Sequence, residues 1–141
     1  MTDLEQRIFD LGQHLQLIHV ATLDERGLPW VRPVVGRLDE QLTLRFATHL
    51  NSRKVGHIGA QPGVHATLGA TDPRSERWLQ IDGEAEVSTS AEEREAFWFD
   101  GLKAHVSSVD SPLYSVVVIR PKRIELRTIH NPEAETWTQA T

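Results

Sequence analysis

Cysteine is absent from the 141 residues. That excludes a disulfide scaffold, a thiol nucleophile and every cysteine-ligated metal site. Long apolar runs are also missing. The longest strongly apolar stretch is Val116-Val117-Val118-Ile119, far short of a membrane span. There is no basic excess: the formal net charge is −5, which argues against general nucleic-acid or anionic-membrane binding. The opening Met1-Thr2-Asp3-Leu4-Glu5 has no basic segment followed by an apolar one, so it does not read as a signal peptide. Neither a Gly-x-Ser-x-Gly elbow nor a Gly-x-Gly-x-x-Gly or Walker glycine run occurs, which removes the common hydrolase and nucleotide-binding folds. The seven histidines are His14, His19, His49, His57, His65, His105 and His130. No two stand at i, i+4 with a glutamate between, and they read as surface or core residues with no metal site. With 39% hydrophobic and 25% charged residues, the composition is that of an ordinary globular chain. The expectation is one soluble cytoplasmic domain over 1–141.

What is present is a dense succession of short β segments. Leu4, Ile8, Leu11 and Leu15 follow a helical period, which predicts a helix over 3–16, capped by Thr2 or Asp3. A barrel region over 17–129 follows. Residues 17–23, 28–38 and 42–47 read as strands joined by turns at Asp24-Glu25-Arg26-Gly27 and Asp39-Glu40-Gln41. Residues 52–60 read as a short helix with Ser52 as its N-cap. Strands are predicted at 64–70 and 77–87, and Gly83 within the latter implies a bulge or bend. A helix is predicted over 90–105, with Ser90 and Glu93 at capping-box spacing. Two more strands, 113–119 and 123–129, are separated at Arg120-Pro121-Lys122. The tail 130–141 is expected to fray. Many tight hairpins and few helices favour a closed or nearly closed antiparallel barrel: mostly β with flanking helices.

Charge is distributed unevenly. Residues 41–71 contain Arg45, Arg53 and Lys54 and no acid, inside an acidic protein. Ser52-Arg53-Lys54 combines a hydroxyl at a helix start, the free first-turn N–H groups and two cations, one able to fork onto two oxygens. Thr48, at the end of the preceding strand, adds a hydroxyl. This pattern points to a small anion; the alternative is an ordinary helix start beside solvated loops. In the second strand, Trp30, Arg32, Val34 and Gly36 share one face, and Val31, Pro33 and Val35 share the other. Pro33 implies an edge or a bulge, and a bulge would bring Arg32 and Arg37 to one side. A surface salt bridge from Arg32 to Asp24 or Glu25 is the simpler alternative.

Together these residues resemble the pyridoxamine 5′-phosphate oxidase-like, FMN-binding split-barrel superfamily, and most closely its general-stress-protein-26-like branch. The resemblance runs from about Leu11 to Arg127. It rests on Val20-Ala21-Thr22-Leu23, Val31-Arg32-Pro33-Val34, Gln61-Pro62-Gly63-Val64 and Asp82-Gly83-Glu84-Ala85-Glu86-Val87. Its most specific part is Phe46-Ala47-Thr48-His49-Leu50-Asn51-Ser52-Arg53-Lys54.

The resemblance implies a split β-barrel and a homodimer with FMN in a groove between the subunits. It implies Arg32, Pro33 and Val34 at the ring and ribityl chain, Arg37 towards the phosphate side, and Ala47 and Thr48 along the ribityl region. Ser52, Arg53 and Lys54 would hold the phosphate. Gln80 would meet the flavin edge, and Trp98 would form a groove wall from the partner; as packing residues, Trp78, Phe97, Trp98 and Phe99 would instead fill the core. The end of the chain departs from the phosphate-accepting oxidases: Arg127-Thr128-Ile129-His130-Asn131-Pro132 is followed by an acidic tail, which argues against oxidation of pyridoxamine phosphate. Arg127 also stands where relatives carry an aromatic, leaving the ring less enclosed or under an added positive charge. The implied function is an FMN-dependent oxidoreductase acting on a small molecule, with no side chain required as acid or base. The alternative is a non-catalytic module that holds flavin, deazaflavin or haem. Neither nucleic acid nor membrane is an expected partner.

Overall fold

The computed structural model describes residues 1–140. The chain opens with α1 (Asp3–Gly12), where Thr2 and Glu5 form a reciprocal capping box. The predicted helix to residue 16 is shorter in fact, because Gln16 already pairs with Gly36 in the first hairpin. Strands β1 (Gln16–Leu23), β2 (Pro29–Leu38) and β3 (Leu44–His49) follow as an antiparallel meander. Their turns are set by carboxylates. Asp24 accepts the N–H groups of Arg26 and Leu28, and Asp39 accepts those of Gln41 and Thr43. Gly27 supplies the positive φ, +79°, that the first of these turns requires.

Next come α2 (Arg53–Ala60), β4 (Gly63–Leu68) and β5 (Arg77–Ser88). The predicted helix over 90–105 is broken into α3 (Ala91–Phe97), a 3-10 turn (Asp100–Leu102) and α4 (Lys103–Val106). Three consecutive aromatics explain the break. Successive helical residues point about 100° apart, so one helix cannot bury Phe97, Trp98 and Phe99 together. With Trp98 and Phe99 in extended backbone, Phe97 is buried and Trp98 packs edge-on against Tyr114 at 5.5 Å.

The two strands predicted around Pro121 are one, β6 (Tyr114–Thr128). Its first half pairs with β3 and its second half with β7, so Pro121 falls between the two ladders and costs neither a hydrogen bond. The expected irregularity at Gly83 is present as a register shift between Asp82 and Gly83. A Cβ on Gly83 would lie 2.5 Å from the Arg120 carbonyl oxygen, so only glycine fits. The tail expected to fray is instead β7 (Asn131–Thr138), paired to β6. Trp137 there donates to the Glu5 carboxylate at 3.2 Å, and Glu135 forks onto Arg7.

Among the described residues the strand order is β3-β2-β1-β4-β5-β6-β7, and the β3–β6 pairing closes the first six into a barrel. The expected antiparallel split barrel with flanking helices is therefore what forms. Its interior holds the larger core, including Ile18, Val20, Phe46, Leu79, Ile81 and Val117. A smaller cluster beneath α3 and α4 joins Phe97, Leu102, Val106 and Tyr114. Among the described residues no helix is long and apolar enough to cross a membrane.

Candidate functional site

The closure between β2 and β3 is short. Gly36, Arg37 and Leu38 pair with Phe46, Arg45 and Leu44, and there the ladder stops. Pro33, Val34 and Val35 then diverge from Ala47, Thr48 and His49, and the six residues line the opening between them. β2 keeps β1 on one side and β3 keeps β6 on the other, so each diverging strand presents a free backbone edge to the gap. This explains Pro33: it pairs in register with His19 on β1, without a bulge, and lies where β2 is an edge. The cavity has a volume of about 510 Å³, within the range of small-molecule sites. Leu102 and Val106 give it an apolar wall, and Phe99, His105 and Leu17 complete its rim.

One end of the cavity is polar. Lys54 and Ser52, at the start of α2, line it together with Thr48. Ser52 has N-cap geometry but makes no side-chain cap bond; its Oγ instead lies 2.9 Å from Thr48 Oγ1. Ser52 is thus the N-cap by position, as expected, and its hydroxyl stands with that of Thr48 at the helix start. Arg32 approaches from β2. Its Nη1 donates to Thr22 Oγ1 at 2.8 Å and to the Val20 carbonyl at 3.3 Å. Arg53 stacks on Trp30, 4.7 Å from the ring centroid.

None of Arg32, Arg53 and Lys54 pairs with a carboxylate among the described residues. The salt bridge considered for Arg32 does not form, since Asp24 takes Arg26 and Glu25 faces His57. Lys54 is held below the ordinary lysine range, first by burial and then by repulsion from Arg32. Arg32 is lowered by burial and by Arg53. Three cations thus converge and have one another as charged neighbours. Arg45, the remaining cation of the acid-free segment, is different: it is bound to Asp39 and Glu93.

The other expected residues lie elsewhere in the chain. Arg37 is on the face of β2 opposite Arg32, donates to the Ala96 carbonyl and covers the Phe97 ring, so the bulge proposed to unite the two arginines is absent. Gln80 lines a separate groove with His65, Asp82, Arg123 and Glu125. Trp98 packs on Tyr114, and Phe99 is the aromatic that reaches the cavity. Arg127 lies opposite Trp78 in the β5–β6 ladder and donates to Glu125 and the Pro132 carbonyl. Sequence reasoning missed His49 and His105, both on the cavity wall, and the buried pair Thr22 and His57. Thr22 did carry a signal: it continues the inward face of Ile18 and Val20, where a polar residue needs a partner.

The arrangement offers a slot for a flat ring system and, at one end, a cradle for an anion. No curated protein is significantly similar to the chain. Among solved structures, general stress protein 26 from Bacillus anthracis str. Sterne superposes with a TM-score of 0.85 at 20% identity, covering 98% of this chain and 100% of that one. A heme binding protein from Mycobacterium smegmatis gives 0.73 at 19% identity, covering 95% of this chain and 56% of that one. A pyridoxamine 5′-phosphate oxidase-related, FMN binding protein from Nostoc punctiforme PCC 73102 gives 0.61 at 16% identity, covering 89% and 87%. At such identities these likenesses speak for the fold. The family itself is fixed by a model described as pyridoxamine 5′-phosphate oxidase, which matches residues 4–128. By that match, over nearly the whole barrel, the chain belongs to the pyridoxamine 5′-phosphate oxidase family.

Proposed function

We propose that the protein is an FMN-dependent oxidoreductase acting on a small organic molecule. The observation that carries this reading is the cluster of Arg32, Arg53 and Lys54 about the start of α2, where Lys54 borders the Thr48–Ser52 hydroxyl pair and none of the three pairs with a carboxylate among the described residues. Uncompensated cations at a helix start are costly in the free protein and favour a phosphate ester as their counter-charge. The residues present fit FMN: cations and hydroxyls for the phosphate, Ala47 and Thr48 for the ribityl chain, and the free edges of β2 and β3 with Pro33 and Val34 for the ring. When bound, FMN supplies the hydride and electron chemistry. The protein's own part is to anchor the phosphate, orient the ring along the strand edges, and exclude water with Phe99, Leu102 and Val106.

The slot is open on its outer side. Next to it Leu17, Val31 and Val35 stand exposed on the β1–β2 face, at 52%, 63% and 41%. A second copy of the chain covering this face gives a homodimer with the flavin at the subunit boundary, and Arg37, Gln80 and Trp98 then have a route to the ring only from that partner. Sedimentation at micromolar concentration checks this; a monomer removes the intersubunit site.

A second reading, a haem-holding module, draws on His49 and His105 at the cavity wall. Absorbance of the purified protein and mass spectrometry of the molecule released on denaturation decide the ligand. FMN is the expected product, and a haem or deazaflavin mass overturns that assignment. Bleaching by a nicotinamide donor, followed by turnover on an acceptor, separates an enzyme from a carrier.

A further inference from the structure

Behind Arg32 lies a chain of polar groups that the anion site does not itself require. Thr22 is 1% exposed and His57 is 8% exposed, so each must find its partners inside the protein. Arg32 Nη1 lies 2.8 Å from Thr22 Oγ1, which lies 3.0 Å from His57 Nδ1; His57 Nε2 in turn lies 3.4 Å from a Glu25 carboxylate oxygen.

The direction of this chain follows from the chemistry of its ends. A guanidinium can only donate, so Thr22 Oγ1 accepts from Arg32. With the Glu25 carboxylate beside Nε2 favouring the imidazole proton there, His57 Nδ1 is free to accept the hydroxyl's own hydrogen bond. The imidazole proton sits on Nε2, where it faces the Glu25 carboxylate. Every group has one role, and the chain runs from Arg32 through Thr22 and His57 to the surface.

We propose that Thr22 and His57 are positioning residues that fix the Arg32 guanidinium for the phosphate of the bound cofactor. This rests on the phosphate-corner reading above. Arg32 is lowered by burial and by Arg53, and without an anchor it would turn away from the other two cations. The Thr22 hydroxyl and the Val20 carbonyl hold it in place, and His57 holds the Thr22 hydroxyl in the rotamer that accepts from it. The preorganisation matters for the phosphate alone, because Arg32 is the group held.

The test compares FMN with riboflavin, which carries the same ring and ribityl chain and no phosphate. Dissociation constants are measured by fluorescence quenching on the whole chain. Wild type is expected to prefer FMN strongly. Thr22→Val keeps the shape and removes the hydroxyl; it is expected to weaken FMN by about tenfold and leave riboflavin unchanged. Thr22→Ser restores the preference. His57→Leu, which removes the acceptor of the Thr22 proton, lowers the same FMN-to-riboflavin ratio, and His57→Asn, which keeps an acceptor at the Nδ1 position, lowers it less. If Thr22→Val and His57→Leu keep the wild-type ratio, or if both ligands weaken together, the positioning role is wrong. If Thr22→Val fails to fold, the two His57 variants decide alone. A wild type that binds both ligands equally would instead refute the phosphate corner itself, so the two failures are distinguishable.

Discussion

Two arginine-bearing corners of the barrel face opposite fates. Arg45, near the start of β3, meets a pair of carboxylates, Asp39 from its own hairpin turn and Glu93 from α3. Those bonds raise its pKa above the ordinary guanidinium range. Arg32, Arg53 and Lys54 lie at the open end of the β2–β3 seam. There burial and mutual repulsion lower Arg32 and Lys54, and no acid comes to meet them. The same residue type is a structural clamp in one place and the proposed phosphate receptor in the other. The difference teaches that in this protein the partner of a cation, rather than its presence, marks function. Local acid-free sequence places Arg45 with the other two, and only the fold separates them.

The largest effect is expected from emptying the open corner. Ser52→Ala with Arg53→Ala removes one hydroxyl and one fork, and should weaken FMN on the order of 100-fold, measured by calorimetry, with the melting temperature unchanged or raised because repulsion is relieved. An unchanged affinity would break the comparison. The converse is Arg45→Met. It leaves Asp39 and Glu93 without their shared cation on a part-buried face, and should cost about 1–3 kcal/mol of unfolding free energy with FMN affinity untouched. A loss of flavin binding without a loss of stability would mean that the two corners had been assigned the wrong way round.

Only one side of this contrast was legible in the sequence. Thr48, Ser52, Arg53 and Lys54 pointed to an anion by residue type, and Pro33 pointed to an edge or a bulge in β2, of which the edge is what forms. The opening β1–β2–β3 meander and the irregularity at Gly83 were also readable, because hairpin turns and bulges are local events. What was not readable depends on long-range pairing. The β7 strand is mostly polar, with Trp137 as its one large apolar side chain, and it is ordered by β6 and by α1 through Arg7 and Glu5 rather than by its own pattern. The helix break at Trp98 arises because three consecutive aromatics pack into one cluster, which an unbroken helix could not bury together. Arg37 carries the same sequence signal as Arg32, yet the regular pleat of β2 puts it on the opposite face.

Lys54 offers a finer test of the open corner through pH. In the free protein its ammonium is disfavoured by burial and by Arg32, so it titrates below the ordinary 10.5. A bound phosphate reverses that and raises the pKa. Binding therefore holds a proton on Lys54 that the free protein loses. Affinity is full below the free-site pKa and falls as pH rises through it, by at most about tenfold per pH unit for one proton. Lys54→Met should bind FMN more weakly at neutral pH and lose this slope, which also controls for any ionisation of the flavin. A wild-type slope retained in the variant would remove Lys54 from the site.

The smallest effect sharpens the claim that no acid balances the corner. Asp24 is the nearest challenger, since it lines the hollow behind Trp30 that Arg53 also borders. Its carboxylate, however, is used by its own turn: it accepts from the Leu28 and Arg26 backbone N–H groups at 3.0 and 2.9 Å and from the Arg26 guanidinium. The Leu28 N–H is the main cause that lowers its pKa from 3.8 to about 2, with Arg26 adding to it. A folded-state pKa below the unfolded one means that the ionised turn stabilises the fold above about pH 4 and loses that contribution as pH falls towards 2. Asp24→Asn keeps an acceptor oxygen and drops the charge. The difference between wild-type and variant denaturation midpoints should therefore be greatest at neutral pH and shrink between pH 4 and 2. FMN affinity at neutral pH should move by less than about twofold, because the charge removed belongs to the turn. Were Asp24 silently balancing Arg53, the same substitution would tighten FMN binding several-fold, and the unpaired corner would have to be redrawn as a paired one.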